Sequence, residues 1–130
     1  MKGIPAIIMQ SFKDTAVSFL KNASSGKLDE AYSLVGANFR HHNPHFKAGA
    51  DSLKAGMADA HKKFPNTKLE VQRAIAEGEL VAVHSRVQHA PDQPAIAVVH
   101  IFRFEDAKIA ELWDVGMEVP QDSPNENGAF

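Results

Sequence analysis

The stretch Ala95–Val119 constrains the fold of this chain more than any other part of its sequence. It reads AIAVVHIFRFEDAKIAELWDVGMEV, in which two apolar runs flank the polar break Glu105–Lys108. Valine, isoleucine, phenylalanine and tryptophan dominate both runs, and these residue types favour β-strands. The break is short enough for a hairpin turn. The sequence therefore predicts two adjacent antiparallel strands here.

The remainder of the chain divides into a helical part followed by a β part. Apolar residues spaced by three and four predict helices over Pro5–Ala23, Leu28–Val35 and Ala50–Phe64. Between the last two helices lies a short extended piece and a turn, because Pro44 disfavours a helical conformation at Asn43. From Lys68 the period changes to two, which predicts four strands: Leu69–Ala76, Leu80–Gln88, Ala95–Glu105 and Lys108–Val119.

This order of elements predicts an α+β domain with helices and sheet in separate layers. The four main strands would form an antiparallel meander, covered on one face by the three N-terminal helices. A sheet of this kind can curve and enclose a cavity. The 130 residues suit a single domain over 1–130, with helices over about 5–64, sheet over about 68–119 and a coil tail over 120–130.

Composition excludes several classes of function. A formal net charge of -2 does not indicate the basic surface that nucleic-acid binding requires. The absence of cysteine rules out disulfides, thiolate nucleophiles and cysteine metal sites. No basic amphipathic helix indicates a membrane surface. The apolar stretch Ile4–Met9 is too short for a signal-peptide core or a membrane span, so a cytoplasmic location is expected.

The apolar runs of the hairpin contain polar residues that need an explanation. Alternation puts His100 on the same face as Phe102 and Phe104, which is the expected core face. A buried imidazole needs a partner or a ligand, because leaving it unpaired costs free energy. His100 is therefore either a core histidine satisfied by a neighbour or water, or part of a site.

The register of the hairpin decides what faces His100. A three-residue loop with a bulge would set His100 opposite Leu112 and bring Asp114 near it. A two-residue loop would instead set His100 opposite Trp113. In the first register the Asp114 carboxylate could act as base and partner of the imidazole, whereas otherwise Asp114 is a solvated edge carboxylate. Periodicity alone does not choose between these registers.

Three histidines crowd the segment His41–His45, which also contains Asn43 and Pro44. Three imidazoles within five residues could bind a metal ion, although no Glu-x-x-His or spaced His-x-His pattern accompanies them. The segment could also be a solvated loop. A third possibility is that His42 and Asn43 lie at the rim of a pocket.

At this point the sequence resembles the SnoaL-like group of the nuclear transport factor 2-like superfamily. The resemblance runs from about Phe39 onward and rests on these segments: His42-Asn43-Pro44, Ala76-Glu77-Gly78, Leu80–His84, Ile101–Asp106, Lys108-Ile109, Glu111 and Trp113-Asp114-Val115. It implies a cone-shaped barrel with a pocket between the curved sheet and the helices, often in a homodimer. Relatives of this kind include polyketide cyclases and ketosteroid isomerases, in which a carboxylate moves a proton next to a carbonyl and a donor holds the enolate oxygen.

The chain departs from the group's pattern at four positions, one of which is Ala107, where the group has a glycine in the hairpin. His100 stands where aspartate is common, and Leu112 stands where histidine is common. Asn43 falls where isomerase-type relatives place their basic carboxylate. Either acid and base residues have been exchanged within the same pocket, with Asp114 near His100, or catalysis has been lost.

Two functional hypotheses follow. The first is a cofactor-independent and metal-independent enzyme that acts on a small apolar or carbonyl-containing molecule by aldol-type cyclisation, enolisation or isomerisation. The second is a non-catalytic ligand-binding or dimeric scaffold protein of the same fold. In the first, His100 and Asp114 are catalytic. The residues expected to bind substrate or shape the pocket wall are His42, Asn43, Phe102, Leu112 and Trp113.

Overall fold

The structure is a computed structural model that describes residues 3–130. In this range the helices are α1 (Ala6–Ser24), α2 (Leu28–Tyr32) and α3 (Ala50–Lys63). The strands are β1 (Val35–His41), β2 (Lys68–Glu77), β3 (Leu80–Gln88), β4 (Ile96–Glu105) and β5 (Lys108–Glu118). The predicted α+β class is confirmed, with helices packed on one curved sheet that is not closed. None of the described helices is long and apolar enough to cross a membrane.

Helix α1 is the main cover of the sheet. Its buried residues recur at helical spacing and form one apolar stripe: Phe12, Ala16, Phe19 and Leu20. The helix ends where Gly26 adopts a φ of 78° and the Lys27 N–H donates to the Asn22 carbonyl, which is the usual geometry of a left-handed cap. The chain can then turn directly into α2.

The sheet has the strand order β1-β5-β4-β3-β2. Strands β2 to β5 form the expected antiparallel meander. The extended piece predicted before Pro44 is a full strand, β1, which pairs in parallel with β5 and adds a fifth strand to the sheet. Its sequence, VGANFRH, alternates poorly in polarity, so period two did not reveal its length.

The β4–β5 hairpin has a register that differs from both predicted ones. Its turn has two residues, Asp106 and Ala107, both with positive φ (49° and 63°), so that Glu105 pairs with Lys108. The register then shifts by one, because β5 contains an additional residue, Ala110, between its pairs with Phe104 and Arg103. Beyond this bulge, His100 lies directly opposite Asp114 and Ile101 opposite Trp113.

The core lies between the concave face of the sheet and the helices. Aromatic rings bridge the two layers: Phe12 stacks on Phe104 with ring centroids 4.4 Å apart, and Phe19 meets Phe102 edge-on at 5.9 Å. From β3 the fully buried side chains are Val81, Val83 and Ser85, which therefore point to the helical layer. The intervening residues of β3 point to the other, outer face of the sheet.

Candidate functional site

Two adjoining cavities lie on the concave side of the sheet. The smaller, of about 200 Å³, is lined by residues of α1, α3 and the sheet. The larger, of about 780 Å³, lies between the loop after β1 and the adjacent ends of β3, β4 and β5. Val87, His89 and His100 line both cavities. These three residues therefore mark where the two spaces meet.

The structure brings His100 and Asp114 to the same side of the sheet. They are direct cross-strand partners, so their side chains project from one face, and both line the larger cavity. Asn43 donates from Nδ2 to Oδ2 of Asp114 at 3.0 Å, and its own Oδ1 accepts from the His45 N–H at 3.0 Å. The short turn around Pro44 therefore fixes Asn43, and Asn43 in turn fixes the carboxylate.

His100 is half-buried where the two cavities meet. Burial lowers its pKa to about 4, and the neighbouring Asp114 carboxylate opposes part of that shift. The imidazole is consequently neutral at pH 7. Its Nδ1 is enclosed and has no hydrogen-bond partner among residues 3–130. The Nε2 edge of the ring is the one that opens to the cavities.

His89 is a site residue that the sequence analysis missed. It directly follows the predicted strand Leu80–Gln88 and lies two residues after Val87, which lines the same cavities. Its ring stacks on Phe64 with centroids 5.0 Å apart, and its Nδ1 lies 3.1 Å from Oγ1 of Thr67. Only the approach of the loop at 64–67 to the loop after β3 places this histidine at the cavities.

His42 and Trp113 do not line either cavity. Both belong to the outer side of the sheet, where their rings stack in parallel with centroids 5.0 Å apart. His42 Nε2 lies 2.5 Å from Oε2 of Glu111, whose Oε1 accepts from Nε of Arg103 at 3.0 Å. The hydrogen bond to His42 first, and the contact with Arg103 second, hold the pKa of Glu111 below its ordinary value. The side chain of Trp113 points outward because of the bulge at Ala110.

Phe102 and Leu112 also lie elsewhere than the cavity wall. They are direct cross-strand partners and are 0% and 2% exposed in the core. His100 is two residues from Phe102 along β4, with ring centroids 6.3 Å apart. They lie in the core next to the site, and their packing holds β4 and β5 where His100 and Asp114 face each other.

The three histidines of the segment His41–His45 do not converge. His41 contacts the Lys47 carbonyl through Nε2 at 2.8 Å and accepts from the Asn43 N–H through Nδ1. His42 is engaged by Glu111 on the outer face, and His45 borders the larger cavity. Across the part of the chain that the structure describes, no three His, Cys, Asp or Glu side chains are grouped to hold a metal ion.

Comparison with known proteins agrees with this architecture. A model of the SnoaL-like domain family matches residues 16–112, which is more than half of the chain. Comparison of the sequence with curated proteins gives no match.

Several solved structures are similar to this one. One is AclR, a candidate hydroxylase from Streptomyces galilaeus, with a TM-score of 0.73 and 22% identity over 84% of this chain and 90% of that chain. A candidate ketosteroid isomerase from Kribbella flavida has a TM-score of 0.71 and 16% identity, covering 94% and 90% of the two chains. A candidate polyketide cyclase from Bacillus cereus has a TM-score of 0.71 and 22% identity, covering 82% and 74%. At these identities the likeness shows the fold alone.

Proposed function

The chain belongs to the SnoaL-like domain family, and on that premise we propose that it is an enzyme that moves a proton next to the carbonyl group of a small, partly apolar molecule. The pairing of His100 with Asp114 across β4 and β5 carries this proposal. It supplies a carboxylate and a neutral imidazole on one wall of a cavity large enough for such a molecule. The chemistry is enolisation, isomerisation or aldol-type ring closure without a cofactor.

Asp114 is the proposed base. A carboxylate can remove a proton from the carbon next to a carbonyl, provided that it is oriented and partly shielded from water. Asn43 holds one of its oxygens at 3.0 Å, and the other has no hydrogen-bond partner among the described residues. That second oxygen is the one available to the substrate. The base therefore comes from β5, while Asn43, at the position of the basic carboxylate in isomerase-type relatives, orients it.

His100 is the proposed donor to the enolate oxygen. With a pKa of about 4, its ring is a weak base at neutral pH but a competent hydrogen-bond donor. A neutral imidazole that polarises a carbonyl is an established arrangement in enzymes. Donation from Nε2 would stabilise the negative charge that forms on oxygen when Asp114 takes the proton.

Exchange of α-protons for deuterium tests this proposal without knowledge of the natural substrate. With 2-indanone as the probe in D₂O, the wild-type protein should accelerate loss of the α-proton signals in ¹H NMR. Asp114→Asn should lower the acceleration by at least about a hundredfold, and His100→Phe should lower it similarly. Trp113→Phe on the outer face is the matched control and should retain it. Equal exchange by wild type and Asp114→Asn would refute the assignment.

The alternative of a dimeric scaffold has its own supporting observation. The outer face of the sheet carries a row of apolar cross-strand neighbours from β2 to β5: Ile75, Ala82, Ile101 and Trp113. Ile75 is 63% exposed. We therefore propose that a second copy of the chain covers this face. A homodimer of this kind is compatible with either a catalytic or a purely ligand-binding cavity.

A further inference from the structure

The hydrogen bonds of Thr67 determine the protonation pattern of His89. A hydroxyl group has a single hydrogen to donate. Thr67 Oγ1 donates that hydrogen to the Phe64 carbonyl at 2.9 Å, and a carbonyl cannot act as donor. Toward His89 Nδ1, 3.1 Å away, Oγ1 can only accept. In the neutral ring, Nδ1 therefore carries the hydrogen, and Nε2 is left as an acceptor.

The ring is also held in place by packing. Phe64, the residue directly after α3, stacks against it with an interplanar angle of 23°. Thr67 is tied to the same residue by a second bond, from its own N–H to the Phe64 carbonyl at 3.3 Å. One short turn thus fixes both the orientation of His89 and its tautomer. An imidazole constrained on two sides presents its free nitrogen in one direction.

The free nitrogen has no partner in the part of the chain that the structure describes. Nε2 of His89 makes no hydrogen bond among the described residues and is not enclosed by them, and the residue lines both cavities. Apart from His61 and His100, the rest of the smaller cavity is mostly apolar, and its larger apolar side chains are Leu20, Met57, Leu69 and Val87. An acceptor beside such a surface favours a ligand that combines an apolar body with a hydrogen-bond donor.

The size of the smaller cavity limits that body. An engineered apolar cavity of roughly 150 Å³ is known to bind benzene, and this cavity measures about 200 Å³. The space suits one six-membered ring with a small substituent. Any larger part of a ligand would extend past His100 into the larger cavity.

We propose that the smaller cavity is a subsite for a single apolar ring bearing a hydroxyl group, which donates to Nε2 of His89, and that Thr67 is the positioning residue for this acceptor. This subsite would define the class of substrate for the enzyme site proposed above, so the proposal rests on that proposed function. The hydroxyl end would then lie next to His100, where the reacting carbonyl is expected.

A matched pair of probes tests the acceptor. Phenol can donate a hydrogen bond, whereas anisole has a similar ring but no donor. In titrations followed by NMR, phenol should bind wild-type protein about fivefold or more tightly than anisole, as one hydrogen bond of ordinary strength implies. Phenol should also shift the ¹⁵N resonance of His89 Nε2. His89→Phe should remove the preference, and His84→Phe, on the outer face, should retain it.

Variants of Thr67 test the positioning role. In wild-type protein, ¹⁵N NMR should show His89 as the Nδ1–H tautomer. Thr67→Val should mix the tautomers and weaken the preference for phenol, whereas Thr67→Ser, which keeps the hydroxyl, should preserve both. An Nε2–H tautomer in wild type, equal binding of phenol and anisole, or an unchanged tautomer in Thr67→Val would each overturn the inference.

The two proposals can fail separately. If phenol and anisole bind equally while Asp114→Asn still abolishes α-proton exchange, the subsite is wrong and the proposed enzyme stands. If phenol is preferred but no exchange occurs, the cavity binds hydroxylated rings without acting on them.

Discussion

At the scale of single residues, the burial of one imidazole has two consequences. His100 is only partly exposed, and it stays neutral at pH 7 because the desolvation of its charged form outweighs the attraction of Asp114. The same imbalance makes it suitable as a neutral hydrogen-bond donor and makes folding sensitive to acid. The Asp114 carboxylate beside it is held in place by a hydrogen bond of 3.0 Å from Asn43.

The acid sensitivity has a definite sign. The pKa of His100 is about 4 in the folded protein against an ordinary value of 6.5. Between these values the unfolded chain binds the proton more readily, so stability falls as the pH falls. The contribution of the neutral His100 to the free energy of unfolding is fully present above about pH 6.5 and is lost by about pH 4. It amounts to about 3 kcal/mol at most, from 1.36 kcal/mol per pKa unit.

Urea unfolding at several pH values checks this expectation. The free energy of unfolding of wild-type protein should decrease between pH 6.5 and 4 more steeply than that of His100→Gln, which cannot titrate. The carboxylates are common to both proteins, so their contribution cancels in the comparison. Parallel pH dependences would show that His100 is not buried as described.

At the scale of secondary structure, one additional residue in β5 organises the site. The two-residue turn alone would set His100 opposite Trp113. The bulge at Ala110 shifts the pairing by one, so Asp114 faces His100 and Trp113 turns to the outer face. The bulge also explains why four consecutive residues of β5, from Ile109 to Leu112, are all buried.

The turn preceding the bulge carries local strain that substitution can relieve. Ala107 has a φ of 63°, a left-handed conformation that costs an L-residue roughly 1–2 kcal/mol. Ala107→Gly should therefore stabilise the protein, by roughly 0.5–1 kcal/mol once the greater freedom of glycine in the unfolded chain is counted. Chemical denaturation measures the change. Ala97→Gly, within regular strand β4, is the control and should destabilise; loss of stability in Ala107→Gly would contradict the turn geometry.

At the scale of the whole molecule, the two faces of the sheet differ in what covers them. The concave face holds the core and both cavities. The outer face is apolar over the row from Ile75 to Trp113 and is only partly covered, where Phe130 packs against His84 and Arg86 with centroid distances of 5.8 and 5.9 Å. A second copy of the chain is the proposed cover of the remainder.

Light scattering coupled to gel filtration tests the proposed dimer. The wild-type protein should elute with about twice the 14.2 kDa mass of one chain. Ile75→Lys should shift the population toward monomer, because the row would then bury a charge without a partner. Ile7→Lys, at a 79% exposed position on α1, should remain dimeric. A monomeric wild-type protein would remove the basis for the outer-face interface.

The sequence by itself determined the fold class and the order and approximate extent of the three helices and of four of the five strands. Those properties follow from local periodicity and from turn residues such as Gly26 and Pro44. It also indicated that His100 would lie inside the sheet, because alternation ties its direction to that of Phe102 and Phe104. It missed β1, whose first residue, Val35, was predicted to be helical.

Only the tertiary structure decided which polar groups share the cavities. The inward direction of Asp114 depends on a one-residue bulge, which alternation cannot reveal, because inserting one residue reverses the face of every residue that follows. His89 enters the site through contacts between loops that are distant in sequence. His42 points to the outer face because β1 pairs with β5 so that His41 lies opposite the core residue Leu112. Such pairings depend on packing between elements, and no local pattern encodes them.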